Sequence, residues 1–416
     1  MTDTEMDVTL TTLAYGGAAL GRLEDGRAVF VPFGLPGERV RLRLTEEREH
    51  FARAAIAEVL EASPERIVPK CRHFGICGGC HYQHMPYASQ LRAKSEILRD
   101  QLTRIGHVEK PNVAEAVGAA RPWNYRNQIQ FQLDPQGRLG FIAASGPGDG
   151  ETVLPIAECH LPAESIQALW PLLQLDASAG IERVIVRAGS DGELMLVLKA
   201  ATPEPPELEV EAEISVVHVY DGDVVVQAGE DHVRLRLLDR DFRVSPTSFF
   251  QVNLDVAEKL VRHVLDSIPE TSDTIVDAYC GVGLFSAFLA PLCRRLIGIE
   301  SSASACEDFA ANLDEYENVD LYEDVVERVL PTLDVHPDLV LVDPPRAGLA
   351  RGVIDELVRL APHAIIYVSC DPPTLARDCA RLLAAGYALE KVTPFDMFPQ
   401  TYHIESVSVF RKGQIS

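Results

Sequence analysis

The sequence lacks the excess of basic residues that general nucleic-acid-binding proteins carry. Its 416 residues include 38 Lys or Arg against 62 Asp or Glu, a formal net charge of −24. This balance argues against phosphate binding by the chain as a whole. One segment is an exception, because ten Lys or Arg stand against four acidic residues between Arg66 and Gln130. If a nucleic acid binds, we expect it to meet this segment first.

Export signals and long apolar runs are also missing. The first seven residues have neither a basic start nor an apolar core, so a secretory signal is not expected. The longest apolar stretch, residues 274–293, contains Asp277, two glycines and Pro291, which suits a strand, turn and helix better than a membrane span. We therefore expect a cytoplasmic monomer with no membrane partner.

Nine cysteines in a chain without export signals indicate metal binding or catalysis rather than disulfides. Cys71, Cys77 and Cys80 have the spacing C-x5-C-x2-C, and two adjacent glycines let the backbone curl around a common centre. Cys159 can supply a fourth thiolate from a distant loop. Four thiolates suit either a zinc ion or an iron–sulfur cluster, and the spacing leaves both open.

The length of the chain predicts two or three domains. Residues 1–62 contain short strand candidates separated by glycines, which predicts a five-stranded barrel of the OB type and resembles a TRAM domain. Residues 63–241 are predicted to form a central α+β domain, with a helix over 91–105, a strand over 123–131 and surface structure over 203–232. From 242 to 416 strands and helices alternate, which predicts an α/β fold with a doubly wound parallel sheet.

The last domain contains a candidate nucleotide site. A strand over 274–277 leads into a glycine turn at Gly281 and Gly283, and the next strand ends at Glu300, where a carboxylate can accept the hydroxyls of a ribose. The full dinucleotide pattern G-x-G-x-x-G is absent because Ser286 occupies its last place. The combination indicates S-adenosylmethionine (SAM) or NAD. Asp343, followed by two prolines, ends another strand at the same edge and by itself suggests methylation of an amine.

Cys370 lies where a predicted strand, 364–369, meets a predicted helix that begins with Asp371 as N-cap and Pro372 as its first residue. We predict that this helix start lowers the pKa of the thiol and favours the nucleophilic thiolate. The alternative is an inert, half-buried thiol. Near the C-terminus Glu405 is a candidate general base, and the alternative there is a solvated carboxylate at a sheet edge.

Together these residues favour methylation of carbon over nitrogen. An exocyclic amine attacks a methyl group without a covalent nucleophile from the enzyme. Uracil C5 becomes nucleophilic when a thiolate adds to C6 and generates an enolate. A base must then remove the C5 proton so that the cysteine can leave. Cys370 and Glu405 are the residues that we expect in these two roles.

The sequence resembles the RNA uracil-5 methyltransferase family, SAM-dependent enzymes that make 5-methyluridine in transfer or ribosomal RNA. The motifs that carry the resemblance span nearly the whole chain: the four cysteines, Ser248-Phe249-Phe250-Gln251-Val252-Asn253, the glycine turn, Asp343-Pro344-Pro345-Arg346-Ala347-Gly348, Ser369-Cys370-Asp371-Pro372 and His403-Ile404-Glu405. Two features depart from the family: Leu284 replaces a residue that is often polar, and the linker before Phe242 is short.

The resemblance implies cofactors and roles for individual residues. A [4Fe–4S] cluster is implied on Cys71, Cys77, Cys80 and Cys159, with zinc as the alternative. Contacts to SAM are implied for Gln251, Tyr279, Glu300, Asp324 and Asp343. The nucleophile is then Cys370 and the base Glu405.

The partner is expected to be RNA, and 23S ribosomal RNA is preferred over transfer RNA. Two other functions stay open at this point. An N-methyltransferase acting through Asp343 would not need Cys370, and an RNA chaperone or scaffold would bind RNA without consuming SAM.

Overall fold

A closed five-stranded barrel forms the N-terminal part of the computed structural model, which describes residues 5–144, 152–176, 179–207, 209, 211–269 and 272–413. Its strands are β1 (Glu5–Leu13), β2 (Ala18–Arg22), β3 (Ala28–Pro32), β4 (Arg39–Glu47) and β5 (Phe51–Glu61), in the order β1-β2-β3-β5-β4. Alternate side chains such as Val29 and Val31 fill its core. The predicted barrel is confirmed; positions 1–4 of its predicted range lie outside the described residues.

The central part is a seven-stranded sheet with one long helix beside it. Its elements are α1 (Tyr87–Arg104), β6 (Gln128–Leu133), β7 (Leu139–Ile142), β8 (Val153–Pro155), α2 (Glu164–Leu169), β9 (Ile181–Ala188), β10 (Leu194–Ala200), β11 (Ser215–Tyr220) and β12 (Asp223–Ala228). The strand order is β12-β11-β10-β9-β6-β7-β8. One face packs on Trp170 and Ile166, and the other shares a core with the last domain through Met195, Val197 and Val217.

Two predictions for this part are wrong in detail. The strand predicted from residue 123 starts only at Gln128, because Asn124 adopts a left-handed backbone (φ 56°) and its N–H donates to the carbonyl of His160. Residues 203–232, predicted as surface structure, contain β11 and β12. Val216 and Val217 of β11 are fully buried, but the acidic stretch before them masks the strand pattern.

The last part is the doubly wound sheet that the alternation predicts. A hairpin of β13 (Val233–Leu237) and β14 (Arg240–Val244) precedes α3 (Leu254–Asp266), β15 (Thr274–Ala278), α4 (Ser286–Leu289), β16 (Arg295–Glu300), α5 (Ala303–Asn312), β17 (Val319–Glu323), α6 (Val326–Val329), β18 (Leu339–Val342), α7 (Arg351–Leu360), β19 (Ala364–Ser369), α8 (Pro372–Ala384), β20 (Tyr387–Phe395) and β21 (Glu405–Lys412). Short 3-10 turns follow α2, α4 and α6.

The sheet order is β17-β16-β15-β18-β19-β21-β20, in which β17, β16, β15, β18 and β19 run parallel and β21 pairs antiparallel with both of its neighbours. Two cores cover the two faces, which is why the strands read as continuous apolar runs. The strand order reverses between β15 and β18, the position where open α/β sheets bind ligands. No helix in the described part of the chain is long and apolar enough to cross a membrane.

Candidate active site and cysteine cavity

Cys370 occupies the junction of β19 and α8, as the sequence predicts. Asp371 is the N-cap of α8, since its Oδ1 accepts a hydrogen bond from the backbone N–H of Thr374 at 3.0 Å. The N–H of Asp371 in turn donates to the hydroxyl of Ser369 at 3.2 Å. The strand end and the helix start therefore hold the backbone on both sides of Cys370.

Glu405 lies beside Cys370 although 35 positions separate them in the chain. Strands β19 and β21 are antiparallel with Ser369 opposite Ser406, so the register places Cys370 next to Glu405. Glu405 is only 4% exposed, so the alternative of a solvated edge carboxylate is wrong. Asp343 and Arg346, from the loop after β18, are near enough to act on the charge of both residues. We call these four residues the Cys370 pocket.

The electrostatics of this pocket contradict one prediction. Burial first, and then the charges of Glu405, Asp343 and Asp371, raise the pKa of Cys370 to about 12, against a smaller opposing effect of Arg346. The predicted lowering by the helix start is therefore wrong, because burial and the neighbouring carboxylates together outweigh one helix end. Burial also raises the pKa of Asp343 to about 7 and that of Glu405 well above its usual range.

The nucleotide edge of the sheet lies beside this pocket. The carboxylate of Glu300 accepts backbone N–H bonds from Gly281 (3.0 Å), Ser301 (2.7 Å) and Ser302 (2.8 Å), which fixes its orientation at the end of β16. Gly283 has φ +88°, and a Cβ there would come within 2.4 Å of Leu313. Only glycine therefore fits this turn.

Two other residues predicted to contact SAM, Tyr279 and Asp324, directly follow β15 and β17 at this edge, and Gln251 precedes α3. Tyr279, beside the turn, has a left-handed backbone (φ 65°), which is strained for a residue with a side chain. Gln251 is buried, and Asp324 pairs with Arg328 and accepts the N–H of Val325 at 2.7 Å. Leu284 is buried in the apolar core and so offers no polar contact to a ligand.

The four predicted metal ligands, Cys71, Cys77, Cys80 and Cys159, line one cavity of about 180 Å³. Backbone N–H groups donate to the sulfurs of Cys71 and Cys77, each at 3.4 Å. Burial is the main cause that raises the pKa of Cys80 to about 12 and that of Cys159 to about 11, and neighbouring thiols add to both effects. A cation would relieve this repulsion and release the protons, so the donor set fits a thiolate-bound metal group.

Comparisons with known proteins agree with this geometry. The model of the tRNA (Uracil-5-)-methyltransferase family matches residues 213–327 and 330–412, and that of the TRAM domain matches residues 1–57. An uncharacterised RNA methyltransferase of Thermosynechococcus vestitus is 33% identical over 97% of both chains. Another, from Streptomyces coelicolor, is 34% identical over 97% of this chain and 92% of its own. The chain belongs to the RNA uracil-5 methyltransferase family.

A solved structure supports the same assignment over the whole fold. The tRNA (uracil-54, C5)-methyltransferase of Pyrococcus abyssi, in complex with S-adenosyl-L-homocysteine, superposes with a TM-score of 0.75 and 25% identity over 97% of this chain and all of its own. The present protein is thus an RNA methyltransferase with an N-terminal TRAM barrel and a catalytic domain of the SAM-dependent methyltransferase fold.

The methyltransferase also contains a buried ion pair that sequence reasoning missed. Lys94 of α1 and Asp396 are both fully buried and bonded to each other, and Lys94 also donates to the carbonyls of Phe398 (3.2 Å) and His403 (2.7 Å). It therefore holds both ends of the segment that delivers Glu405, residues 396–404, which we call the support loop. Lys94 is one of the ten basic residues expected to face RNA, and its burial removes it from that surface. No local pattern identifies an ion pair whose partners are 302 positions apart.

The cysteine cavity touches the same loop. The backbone N–H groups of His81 and Tyr82, directly after Cys80, donate to the carbonyl of Gln400 at 2.8 and 3.0 Å. The side chain of Gln90 donates to that of Gln400 at 3.0 Å and accepts its backbone N–H at 3.0 Å. The cavity and the Cys370 pocket are therefore joined through one loop of the methyltransferase.

Asp277 is a second residue that the sequence reasoning passed over. It is the second-last residue of β15, is fully buried and accepts a hydrogen bond from the hydroxyl of Ser286 at 2.6 Å. Burial raises its pKa to about 7. Its position near the end of the strand that leads into the glycine turn is a signal that could have identified it as part of the nucleotide edge.

Proposed function

We propose that this methyltransferase methylates C5 of a uridine in RNA through a covalent adduct between Cys370 and C6 of the base. The observation that supports it most is the adjacency of Cys370 and Glu405 across β19 and β21, beside Asp343 and the nucleotide edge. A nucleophile and a base in one pocket are what carbon methylation needs and nitrogen methylation does not.

The residues of the pocket then act in sequence. Cys370 first releases its thiol proton to solvent, and the thiolate sulfur then adds to C6, which moves the electrons of the C5–C6 double bond into an enolate and makes C5 nucleophilic. SAM, when bound, supplies an electrophilic methyl group for C5. Glu405 then removes the C5 proton, the double bond re-forms and the bond between sulfur and C6 breaks. The raised pKa of Glu405 suits it to hold that proton.

Five residues are proposed to hold SAM at the nucleotide edge: Gln251, Tyr279, Glu300, Asp324 and Asp343. The prearranged carboxylate of Glu300 suits the two hydroxyls of the ribose, because its backbone bonds leave it in one orientation. Asp343 lies between this edge and Cys370, which suits a residue next to the methyl group.

Release of tritium from RNA labelled at uracil C5 tests the reaction. Cys370→Ala should abolish SAM-dependent release, because no enolate forms without the adduct. Cys293→Ala, which alters a half-buried cysteine outside the pocket, is the matched control and should release tritium at the wild-type rate. Release that persists in Cys370→Ala would remove the nucleophile from the proposal and favour an N-methyltransferase acting through Asp343.

A [4Fe–4S] cluster is proposed on Cys71, Cys77, Cys80 and Cys159, with zinc as the alternative. All four cysteines lie in the described part of the chain and line one cavity of about 180 Å³, which supports a group held by four thiolates. The resemblance to the family favours the cluster over zinc.

The role proposed for the cluster is structural, because uracil methylation needs no electron transfer. Protein purified without oxygen should be brown and contain iron and labile sulfide. Stoichiometric zinc without sulfide would overturn the cluster.

The proposed substrate is ribosomal RNA of the large subunit (23S), modified by a cytoplasmic monomer. The combination of a TRAM barrel and a cysteine site supports this choice. The alternative is transfer RNA, favoured by the substrate named for the Pyrococcus abyssi enzyme. Mass-spectrometric mapping of 5-methyluridine in both RNA classes from a deletion strain decides between them: loss of the modification from transfer RNA alone would overturn the ribosomal target.

A further inference from the structure

The turn between β1 and β2 brings the TRAM barrel into contact with the start of the catalytic helix. Tyr15, at the tip of this turn, donates its hydroxyl hydrogen to Oδ2 of Asp371 at 2.9 Å. Asp371 directly follows Cys370 and caps α8. We propose that Tyr15 is a positioning residue for Cys370, so that the barrel forms part of the catalytic pocket. The inference rests on the proposed role of Cys370.

The turn that carries Tyr15 is held in one conformation by backbone hydrogen bonding and close packing. The backbone N–H of Ala14 donates to the carbonyl of Ala18 at 2.8 Å, and Gly16 and Gly17 have φ of +97° and +89°. A Cβ at Gly17 would lie 3.1 Å from Cβ of His81 and 3.4 Å from Cβ of Tyr402. The turn therefore packs closely against the support loop, and glycine is required both for its conformation and for this approach.

Aromatic rings hold Tyr15 in place independently of Asp371. Its ring meets that of Tyr402 edge to face, with centroids 5.7 Å apart and an interplanar angle of 88°. Tyr402 in turn contacts His81 at 4.6 Å and His403 at 4.3 Å between centroids. Because His81 follows Cys80 and His403 precedes Glu405, one ring cluster joins the barrel, the cysteine cavity and the support loop. The hydroxyl of Tyr15 is thus aimed at Asp371 by its surroundings.

The carboxylate of Asp371 is divided between two partners. One oxygen caps α8 through the N–H of Thr374, and the other accepts the hydroxyl of Tyr15. The charge of Asp371, with those of Glu405 and Asp343, raises the pKa of Cys370, whereas Arg346 lowers it. The hydroxyl of Tyr15, by donating to the carboxylate of Asp371, reduces the effect of this negative charge on the thiol and fixes the start of α8. Without that donor, the thiolate should be less populated and its direction less defined.

Alkylation of Cys370 by iodoacetamide measures this effect directly. Tyr15→Phe keeps the ring on Tyr402 and removes only the hydroxyl. At pH 8 the peptide containing Cys370, followed by mass spectrometry, should be alkylated about threefold more slowly than in the wild type, the effect of about half a unit of thiol pKa. The effect is modest because Asp371 is the smallest of the influences on this thiol. Thr11→Val is the matched control: it removes a hydroxyl bonded to the carbonyl of Leu20 in the same hairpin, and the rate should not change.

A double-mutant cycle locates the effect at Asp371. Asp371→Ser retains a good N-cap residue but is too short to reach Tyr15. Tyr15→Phe should therefore leave the alkylation rate unchanged, within about 1.3-fold, in the Asp371→Ser background, because the partner of the hydroxyl is gone. A threefold loss that persists there, an unchanged rate in Tyr15→Phe alone, or an equal loss in Thr11→Val would each overturn the proposal.

A second measurement separates positioning from RNA binding. Tyr15→Phe should slow single-turnover methyl transfer while its Kd for RNA stays within about twofold of the wild type. A weakened Kd with normal alkylation would make Tyr15 an RNA contact and overturn the positioning role. Alkylation needs neither RNA nor SAM, so it decides on Tyr15 even if methylation at uracil C5 proves wrong.

Discussion

The cysteine cavity and the Cys370 pocket use the same side chain in opposite surroundings. In both regions burial raises thiol pKa values, to about 12 for Cys80 and for Cys370. The neighbours differ: other thiols surround Cys80, whereas carboxylates surround Cys370. The thiols around Cys80 suit the proposed metal group, which would replace their protons, whereas the carboxylates around Cys370 suit the proposed proton transfer. The residues around a cysteine, more than its burial, thus determine whether its thiol suits metal binding or catalysis.

The two regions are also mechanically joined. The support loop accepts hydrogen bonds from the residues after Cys80 at one point and leads to Glu405 at its end. Lys94 fixes both ends of the loop from inside the protein. A substitution at the cysteine cavity should therefore lower methyltransferase activity only in part, whereas a substitution within the Cys370 pocket should abolish it or nearly so.

The largest effect on activity is expected from Glu405→Gln, in the Cys370 pocket. Loss of the base should lower the rate of turnover about a thousandfold. Formation of the adduct should continue, because removing this carboxylate also removes a charge that raises the pKa of Cys370. The variant should therefore accumulate a covalent protein–RNA complex that is visible on a denaturing gel.

The control is Glu390→Gln, which removes an exposed carboxylate on the neighbouring strand β20. This variant should methylate RNA at the wild-type rate. Free product at the normal rate, or an adduct that also forms in the double variant with Cys370→Ala, would contradict the assignment of the two roles.

A smaller effect is expected from Cys80→Ser. Loss of one thiolate should empty the cavity of its metal group and loosen the contact of His81 and Tyr82 with Gln400, so that Tm falls and methyl transfer slows about tenfold. Iron and sulfide content, Tm and rate are measured together, with Cys293→Ser as the control. Full activity after complete loss of the metal would show that the two regions are independent.

A further expected effect is on the pH dependence of stability and not on the rate of catalysis. The pKa of Asp343 is raised to about 7 in the folded protein, above an unfolded value of about 3.9. Below both values the group is protonated in both states. As the pH rises from about 4 to 7 the unfolded chain releases the proton first, so folding loses stability over this window. At pH 8 the free energy of unfolding of Asp343→Asn should therefore exceed that of the wild type by about 2 kcal/mol.

Denaturant titrations at pH 4 and pH 8 check this prediction. The difference in the free energy of unfolding between the variant and the wild type should be larger at pH 8 than at pH 4. Asp355→Asn, on the exposed part of α7, is the control and should show the same difference at both pH values. An advantage of Asp343→Asn that is equal at both pH values would show that Asp343 is not protonated on folding.

Much of the local architecture could be predicted from the sequence. The cap at Asp371 and the helix from Pro372 depend on residues within a few positions, and the structure confirms them. The error at residues 123–127 has a different origin, because the left-handed turn at Asn124 depends on a hydrogen-bond partner, His160, in a loop distant in the chain. Strand propensity alone does not reveal such a partner.

By itself, the sequence determined the barrel, the doubly wound sheet and the side chains that lie at its ligand edge, because spacing and local backbone preference set those features. Only the tertiary structure decided the environment of each side chain. It buried Glu405 beside Cys370, reversed the expected direction of the thiol pKa and brought Tyr15 to Asp371 across 356 positions. Burial and charge depend on every group that packs around an atom, and in this chain those groups come from all three parts of the fold.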